Sequence, residues 1–338
     1  MNSRKTITIA LLLVSLTAVR GQDPSFSQFF ASPLNINPAL TANINSDWRA
    51  IMHFRDQWSG PVHPYISGTL SFDTKVQQQR MANTPEASNI PGIGVLLMYD
   101  QTMGGAVKST YGTVTGSYSV RVVDGDIYKH RVNIGFGATY GRRYVDFSKL
   151  DFEEQFTGFG FDTNLPTGEA YLSNMKPYVS LSAGITYSIK SETSNLDIGV
   201  AGYHLNRPEQ TFIKADKQVI PIRKVAHVNF ERLLGDQVLL STNAIYQFQG
   251  DASYFSFGGA AAYFLNDITA INAGLWYWSN NALVPYAGFA IGNYQLGISY
   301  DMTLSKLKTA SPRPNTWEVC IIFRGIRTPS KLIYCPWK

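Results

Sequence analysis

From residue 47 onward, apolar residues recur at every second position, and the pattern keeps restarting to the end of the chain. A period of two belongs to strands whose faces meet different environments, because successive side chains leave opposite sides of the pleat. Candidate strands fall at about 47–57, 65–75, 92–101, 110–122, 130–143, 177–190, 196–205, 222–231, 237–249, 254–264, 268–278, 283–291, 293–303 and 316–324, fourteen in all. In 237–248, Val238, Leu240, Thr242, Ala244, Tyr246 and Phe248 oppose Gln237, Leu239, Ser241, Asn243, Ile245 and Gln247. Similarly, Ile134, Phe136 and Tyr140 oppose Asn133, Gly135 and Thr139, and Tyr294, Leu296 and Ile298 oppose Gln295, Gly297 and Ser299. The polar faces are small or neutral, as a wet lumen allows.

A strand of ~11 residues at ~3.3 Å per residue, tilted by ~40°, covers ~28 Å of membrane normal. With only 16% charged residues, and with Tyr and Phe at 19 each, the composition suits strands in lipid better than a charged helical protein. Aromatic residues near strand ends, Trp48, Trp58, Tyr65, Trp276, Trp278, Tyr300 and Trp317, are candidates for interfacial girdles. The links sort by parity. Long ones at 144–176, 206–221 and 304–315 follow odd-numbered strands, and short ones at 191–195, 232–236, 265–267 and 292 follow even-numbered strands; 76–91 breaks the rule. A soluble β-sandwich has no reason to sort its loops this way. The pattern predicts an all-β transmembrane antiparallel β-barrel of about 14 strands, with long extracellular loops and short periplasmic turns.

Residues 1–21 read as a signal peptide. Arg4 and Lys5 precede an uncharged run from Thr6 to Val19, too short to cross a bilayer as a helix, and Gly21 closes a small-residue cleavage site. The mature chain would begin at Gln22, with a periplasmic or plug segment at 22–46, the barrel at 47–324 and a periplasmic tail at 325–338. Without the three cations of residues 1–21, the formal charge falls from +5 to +2. No Lys/Arg run follows, so a nucleic-acid partner is set aside. The two cysteines, Cys320 and Cys335, lack zinc or redox spacing. A bridge between them would close a loop of ~15 residues, worth ~3 kcal/mol in the chain-entropy view, and two free thiols remain the alternative.

Nothing in the sequence specifies catalysis. His53, His63, His130, His204 and His227 are scattered without a metal spacing, and no Gly-x-Ser-x-Gly elbow occurs. Glu153 and Glu154 are adjacent and so diverge in a strand, which suits a solvated loop better than a carboxylate pair. The same loop carries Phe152, Phe156, Phe159 and Phe161; aromatic residues on a link point either to an inward-folded plug or to a partner surface.

The leading stretch Gln22-Asp-Pro-Ser-Phe-Ser-Gln-Phe-Phe through Asn35-Ile-Asn-Pro-Ala-Leu-Thr41 resembles the opening of the PorP/SprF family of outer-membrane proteins of type IX secretion and gliding motility in Bacteroidetes. Phe54-Arg-Asp-Gln-Trp58, Ser67-Gly-Thr-Leu-Ser-Phe-Asp73, Pro91-Gly-Ile-Gly94, Tyr300-Asp-Met-Thr-Leu-Ser-Lys-Leu307 and Cys335-Pro336 continue the likeness in order; Cys320 stands outside it. The resemblance implies a non-catalytic barrel that anchors, displays or helps export a surface adhesin with a type B C-terminal domain. It also implies contact with periplasmic secretion or motility components or outer-membrane lipoproteins, and no cofactor. Asp23, Pro24, Phe26, Gln28, Asn37 and Pro38 would either anchor the leading segment at the barrel rim or contact a partner. A passive diffusion channel and an outer-membrane lipid hydrolase are the competing expectations.

Overall fold

In the computed structural model, the structure describes residues 23–59, 63–76, 89–168, 175–211, 218–279, 281–305 and 314–325. They form one antiparallel sheet closed on itself. The strands are β1 (Trp48–Ser59), β2 (Tyr65–Lys75), β3 (Asn89–Thr102), β4 (Val107–Asp124), β5 (Lys129–Val145), β6 (Tyr178–Lys190) and β7 (Ser194–Tyr203). The second half comprises β8 (Arg223–Leu234), β9 (Val238–Gln249), β10 (Ala252–Asn266), β11 (Thr269–Trp278), β12 (Ala282–Ile291), β13 (Tyr294–Tyr300), β14 (Met302–Thr303) and β15 (Asn315–Gly325). β13 and β14 are one stave interrupted at Asp301, and both pair with β12, so the barrel has fourteen staves. Closure is made by β1 on β15, in register from Trp48↔Gly325 to Gln57↔Thr316.

The burial pattern is that of a water-soluble protein turned inside out. Phe136, Ile134, Tyr140, Leu240, Tyr246, Phe248, Tyr294, Leu296 and Ile298 are exposed on the outer wall. Asn133, Ser241, Asn243, Gln247, Gln295 and Ser299 are buried inside. Exposed apolar side chains on every stave are stable only against hydrocarbon, which makes the outer face the lipid face of an outer-membrane barrel. Among the described residues, no helix is long and apolar enough to cross a membrane.

Long links gather at the end where odd-numbered strands finish, which is the outer end. The exceptional link shrinks to 76–88 because β3 starts at Asn89, and its residues 77–88 lie outside the described residues. Tyr65 and Trp317 are exposed near the outer end, where ring pairs Trp58–Tyr65 and Tyr300–Trp317 have centroids 5.1 and 4.6 Å apart. Trp276 and Trp278 correct the girdle expectation: both are buried in the lumen.

Part of the leading segment occupies the lumen. Residues 26–34, 36–39 and 41–42 of the leading segment are buried inside the barrel. They run through short helical turns at Phe29–Ala31, Pro33–Ile36 and Pro38–Leu40. Phe30 stacks on Trp276 at 4.4 Å and meets Tyr286 edge-on at 5.8 Å. Burial of Phe26, Phe29, Phe30, Leu34 and Ile36 supplies about 1.5–3 kcal/mol per side chain.

Candidate functional site: the filled lumen

Three clusters of buried polar side chains hold the leading segment along the lumen. At the outer end, Asp23 Oδ2 lies 2.9 Å from His204 Nε2 and 3.3 Å from Arg223 Nε, and the Asp23 N–H donates to Gln249 Oε1 at 3.0 Å. Burial alone would raise the Asp23 carboxyl, but Arg223 and the hydrogen bond with His204 outweigh it and hold it well below the ordinary carboxylate range. Arg223 also donates to the carbonyl of Asn35 at 3.0 Å and lies over the Tyr203 ring, whose hydroxyl donates to the carbonyl of Leu34 at 3.1 Å.

The second cluster is built on Glu318, fully buried on β15. Its two oxygens accept the backbone N–H groups of Ser27 at 2.6 Å and Gln28 at 2.8 Å, just before the turn at Phe29. A carboxylate at consecutive N–H groups forms charge-assisted bonds, roughly twice as strong as neutral ones. Arg55 reaches Glu318 at 3.3 Å and Asp301 at 3.1 Å, and also donates to the carbonyl of Ser25. Ser27 Oγ donates to Asp301 at 2.7 Å, and Gln28 Nε2 donates to Ser299 Oγ at 2.9 Å. His53 lies 3.1 Å from Glu318 and stacks on Phe26 at 4.4 Å.

The third cluster is centred on Asn37. Its amide nitrogen lies 3.1 Å from Thr186 Oγ1 and from His227 Nε2, and 3.2 Å from the carbonyls of Ile185 and Val200. Its Oδ1 accepts the Ala39 N–H at 2.8 Å, setting the turn that Pro38 begins. That turn rests on bare backbone. A Cβ on Gly135 would lie 2.2 Å from Ala39 N, and one on Gly184 would lie 2.0 Å from Asn37 Oδ1. Further along, Ala42 N donates to Asp73 Oδ2 at 2.8 Å, and Asp73 takes a two-pronged bond from Arg49 at 2.9 and 3.0 Å. Ser46 then meets the carbonyl of Trp48 at the start of β1.

Phe26, Gln28, Asn37 and Pro38 are buried inside the barrel, whereas Asp23, with Pro24 half-buried beside it, anchors the segment at the outer end. From Asp23 at the outer end, the described part of the segment descends to the end where β1 begins, which removes most of it from the reach of periplasmic neighbours. His53, His204 and His227, scattered along the sequence, each grip this segment. Strand parity marks two of them: His53 shares the inward face of β1 with Arg49 and Ile51, and His227 shares the inward face of β8 with Val225 and Asn229, whereas His204 lies just past the end of β7.

Ser180 Oγ lies 2.8 Å from His204 Nδ1, so Ser180, His204 and Asp23 line up as nucleophile, base and orienting carboxylate would. Ser180 and His204 are buried, and Asp23 belongs to the leading segment, so a substrate would reach Ser180 only by displacing that segment. The row serves as a clamp. Cys320 is a buried free thiol facing the lumen, while Cys335 lies outside the described residues. Among the loop aromatics, Phe152 is half-buried and Phe156, Phe159 and Phe161 are exposed, with the Phe156 and Phe161 rings 5.2 Å apart. These three phenylalanines do not enter the lumen. The leading segment fills the lumen instead.

The model of the family described as "Type IX secretion system membrane protein PorP/SprF" matches residues 18–323. No curated protein matches the chain. Among solved structures, a deltaS2 mutant of the TodX monoaromatic hydrocarbon channel is similar with a TM-score of 0.53 and 10% identity, covering 88% of this chain and 94% of that one. The P. putida toluene transporter TodX gives 0.50 and 8%, over 86% and 93%. At such identity the likeness shows the fold alone, an outer-membrane barrel. The family match covers nearly the whole chain, and on it this protein belongs to the PorP/SprF family of type IX secretion system membrane proteins.

Proposed function

We propose that the protein is a non-catalytic outer-membrane barrel that anchors, displays or assists export of a type IX-secreted surface protein, an adhesin with a type B C-terminal domain. In this reading it is linked to the periplasmic secretion or motility apparatus. The carrying observation is the occupied lumen: the buried bonds from Asp23, Ser27, Gln28, Asn37 and Ala42 leave the barrel as a rigid post rather than a pipe. The exposed Phe156, Phe159 and Phe161 on the long outer link are the surface offered to the adhesin, since exposed aromatic clusters are typical of protein contacts. Ser180 is shielded by its clamp, which supports a non-enzymatic role over the lipid hydrolase.

The test is removal of the gene followed by measurement of adhesin in the outer membrane and in the medium. Release or loss of the adhesin supports the reading; unchanged export and retention ends it. A diffusion channel would show large, steady conductance from the purified barrel in planar bilayers, whereas a closed trace agrees with the anchor.

A further inference from the structure

The lipid face of the barrel is not evenly convex. Between β5 and β9 it carries an apolar hollow of about 770 Å³. One register row explains the shape: Phe136 on β5 pairs with Ala183, Ala183 with Gly202, Gly202 with Lys224, and Lys224 with Phe248 on β9. Two projecting rings thus stand at the sides, with small residues between them. The next outward row toward the periplasmic end, Ile134, Ile185, Val200, Ala226 and Tyr246, lines the rest.

The chemistry changes toward the outer end. Lys224, exposed as the second residue of β8, has its Nζ 5.9 Å from the centre of the Phe248 ring, a contact that steadies the ammonium without neutralising it. On β5 the outward face continues past Phe136 to Tyr140, Arg142 and Tyr144, all exposed. A cation on the lipid face is costly at the bilayer midplane and tolerated near an interface, where it attracts anionic headgroups.

We propose that this hollow is a lipid-binding site of the outer leaflet, which holds one acyl chain of a phosphorylated glycolipid while the phosphate groups meet Lys224 and Arg142. A zwitterionic phospholipid brings its own cation and gains little from these two. An apolar segment of a partner protein would fill the hollow and leave both cations without an anion. The site also backs on the leading segment: the side chains of Ile185 and Val200 line the hollow, and their carbonyls accept from the Asn37 amide inside. A bound chain therefore packs on the same backbone that holds the Asn37 turn.

The test uses the purified full chain in maltoside detergent, with bound lipid counted by native mass spectrometry after addition of lipid A. One molecule of lipid A should stay bound at detergent concentrations that strip phosphatidylcholine. Binding should fall about tenfold in Lys224→Glu/Arg142→Glu. It should also fall in Ala226→Phe, which fills the hollow from the lipid side and keeps both cations. Each variant is checked for the heat-dependent gel shift of a folded barrel. Undiminished binding in either variant overturns the proposal, as does equal retention of phosphatidylcholine. Lipid A stripped of its phosphates should bind the wild type more weakly than intact lipid A; equal binding shows that charge has no part and ends the proposal. In intact cells, benzoylphenylalanine in place of Tyr246 should crosslink to lipid, and a crosslink to a protein instead overturns the lipid assignment.

Discussion

The backbone N–H of Gln28 donates to Glu318 Oε2 at 2.8 Å, joining the leading segment to the last strand of the barrel across 290 positions of sequence. Glu318 meets Arg55 and His53 from β1 at the same time, and β1 and β15 form the seam that closes the barrel. The seam and the segment inside it thus share one carboxylate.

Removing that carboxylate leaves Asp301 as the one carboxylate paired with buried Arg55, and breaking a buried ion pair typically costs about 3–5 kcal/mol. Glu318→Ala should lower the temperature of the heat-dependent gel shift. It should also expose the Phe26–Ala31 stretch to protease added to detergent-solubilised barrel. Glu318→Gln keeps an acceptor for one backbone N–H and should fall between the wild type and the alanine variant. Unchanged protection of the segment in both variants would show that the apolar contacts of Phe29 and Phe30, with the Asp23 and Asn37 clusters, hold it without Glu318.

The outer clamp sets a pH dependence. Folding lowers the Asp23 carboxyl below its ordinary value of 3.8, because Arg223 and His204 outweigh burial. Its contribution is therefore fully present above that value and is lost only as pH falls through the lowered folded value. Protection of the segment's outer end, read by hydrogen exchange, should be flat from neutral pH to about 5 and decline only in stronger acid. In Asp23→Asn the carboxylate contribution should be missing across the whole range.

The wall was legible because lipid and lumen impose a period of two. In 237–248 the sequence separates Leu240, Tyr246 and Phe248 from Ser241, Asn243 and Gln247, and the structure sets the first group on lipid and the second inside. A plug was one of two alternatives for residues 22–46, and the bonds that hold it were not legible because they are long-range. His204 meets Asp23 across 181 positions and His227 meets Asn37 across 190, so neither pairing leaves a local motif. Aromatic richness also misleads. Phe156, Phe159 and Phe161 look as suited to a plug as Phe26, Phe29 and Phe30, and only the flat seats at Gly135 and Gly184 distinguish the segment the lumen accepts. Trp276 and Trp278 mislead likewise, because an inward tryptophan is reasonable only once Phe30 is there to stack on it.

Those glycine seats make a steric prediction. In Gly184→Ala the new methyl group would stand 2.0 Å from Asn37 Oδ1, and no rotation of a methyl relieves that, so the turn at Pro38 must lift. Overpacking of this kind costs about 1–3 kcal/mol. Planar-bilayer recordings should then show intermittent openings that the wild type lacks. Adding Asn37→Ala shortens the clashing side chain, so the double variant should recover part of the stability lost to the methyl group while still missing the bonds to Thr186 and His227.

The outer loop supplies the complementary case, in which function should change and stability should not. Phe159 is fully exposed, so Phe159→Ser removes no internal packing and should shift barrel stability by less than about 0.5 kcal/mol. If the Phe156–Phe161 surface holds the adhesin, the same substitution should reduce adhesin retained in the outer membrane, with Phe156→Ser acting in the same direction. Phe156 also packs on Phe161 at 5.2 Å, so its replacement should loosen the loop as well, and the comparison separates a contact residue from one that shapes the loop. Retention at wild-type level in Phe159→Ser, with normal amounts of folded barrel, would move the adhesin contact to another of the long outer links.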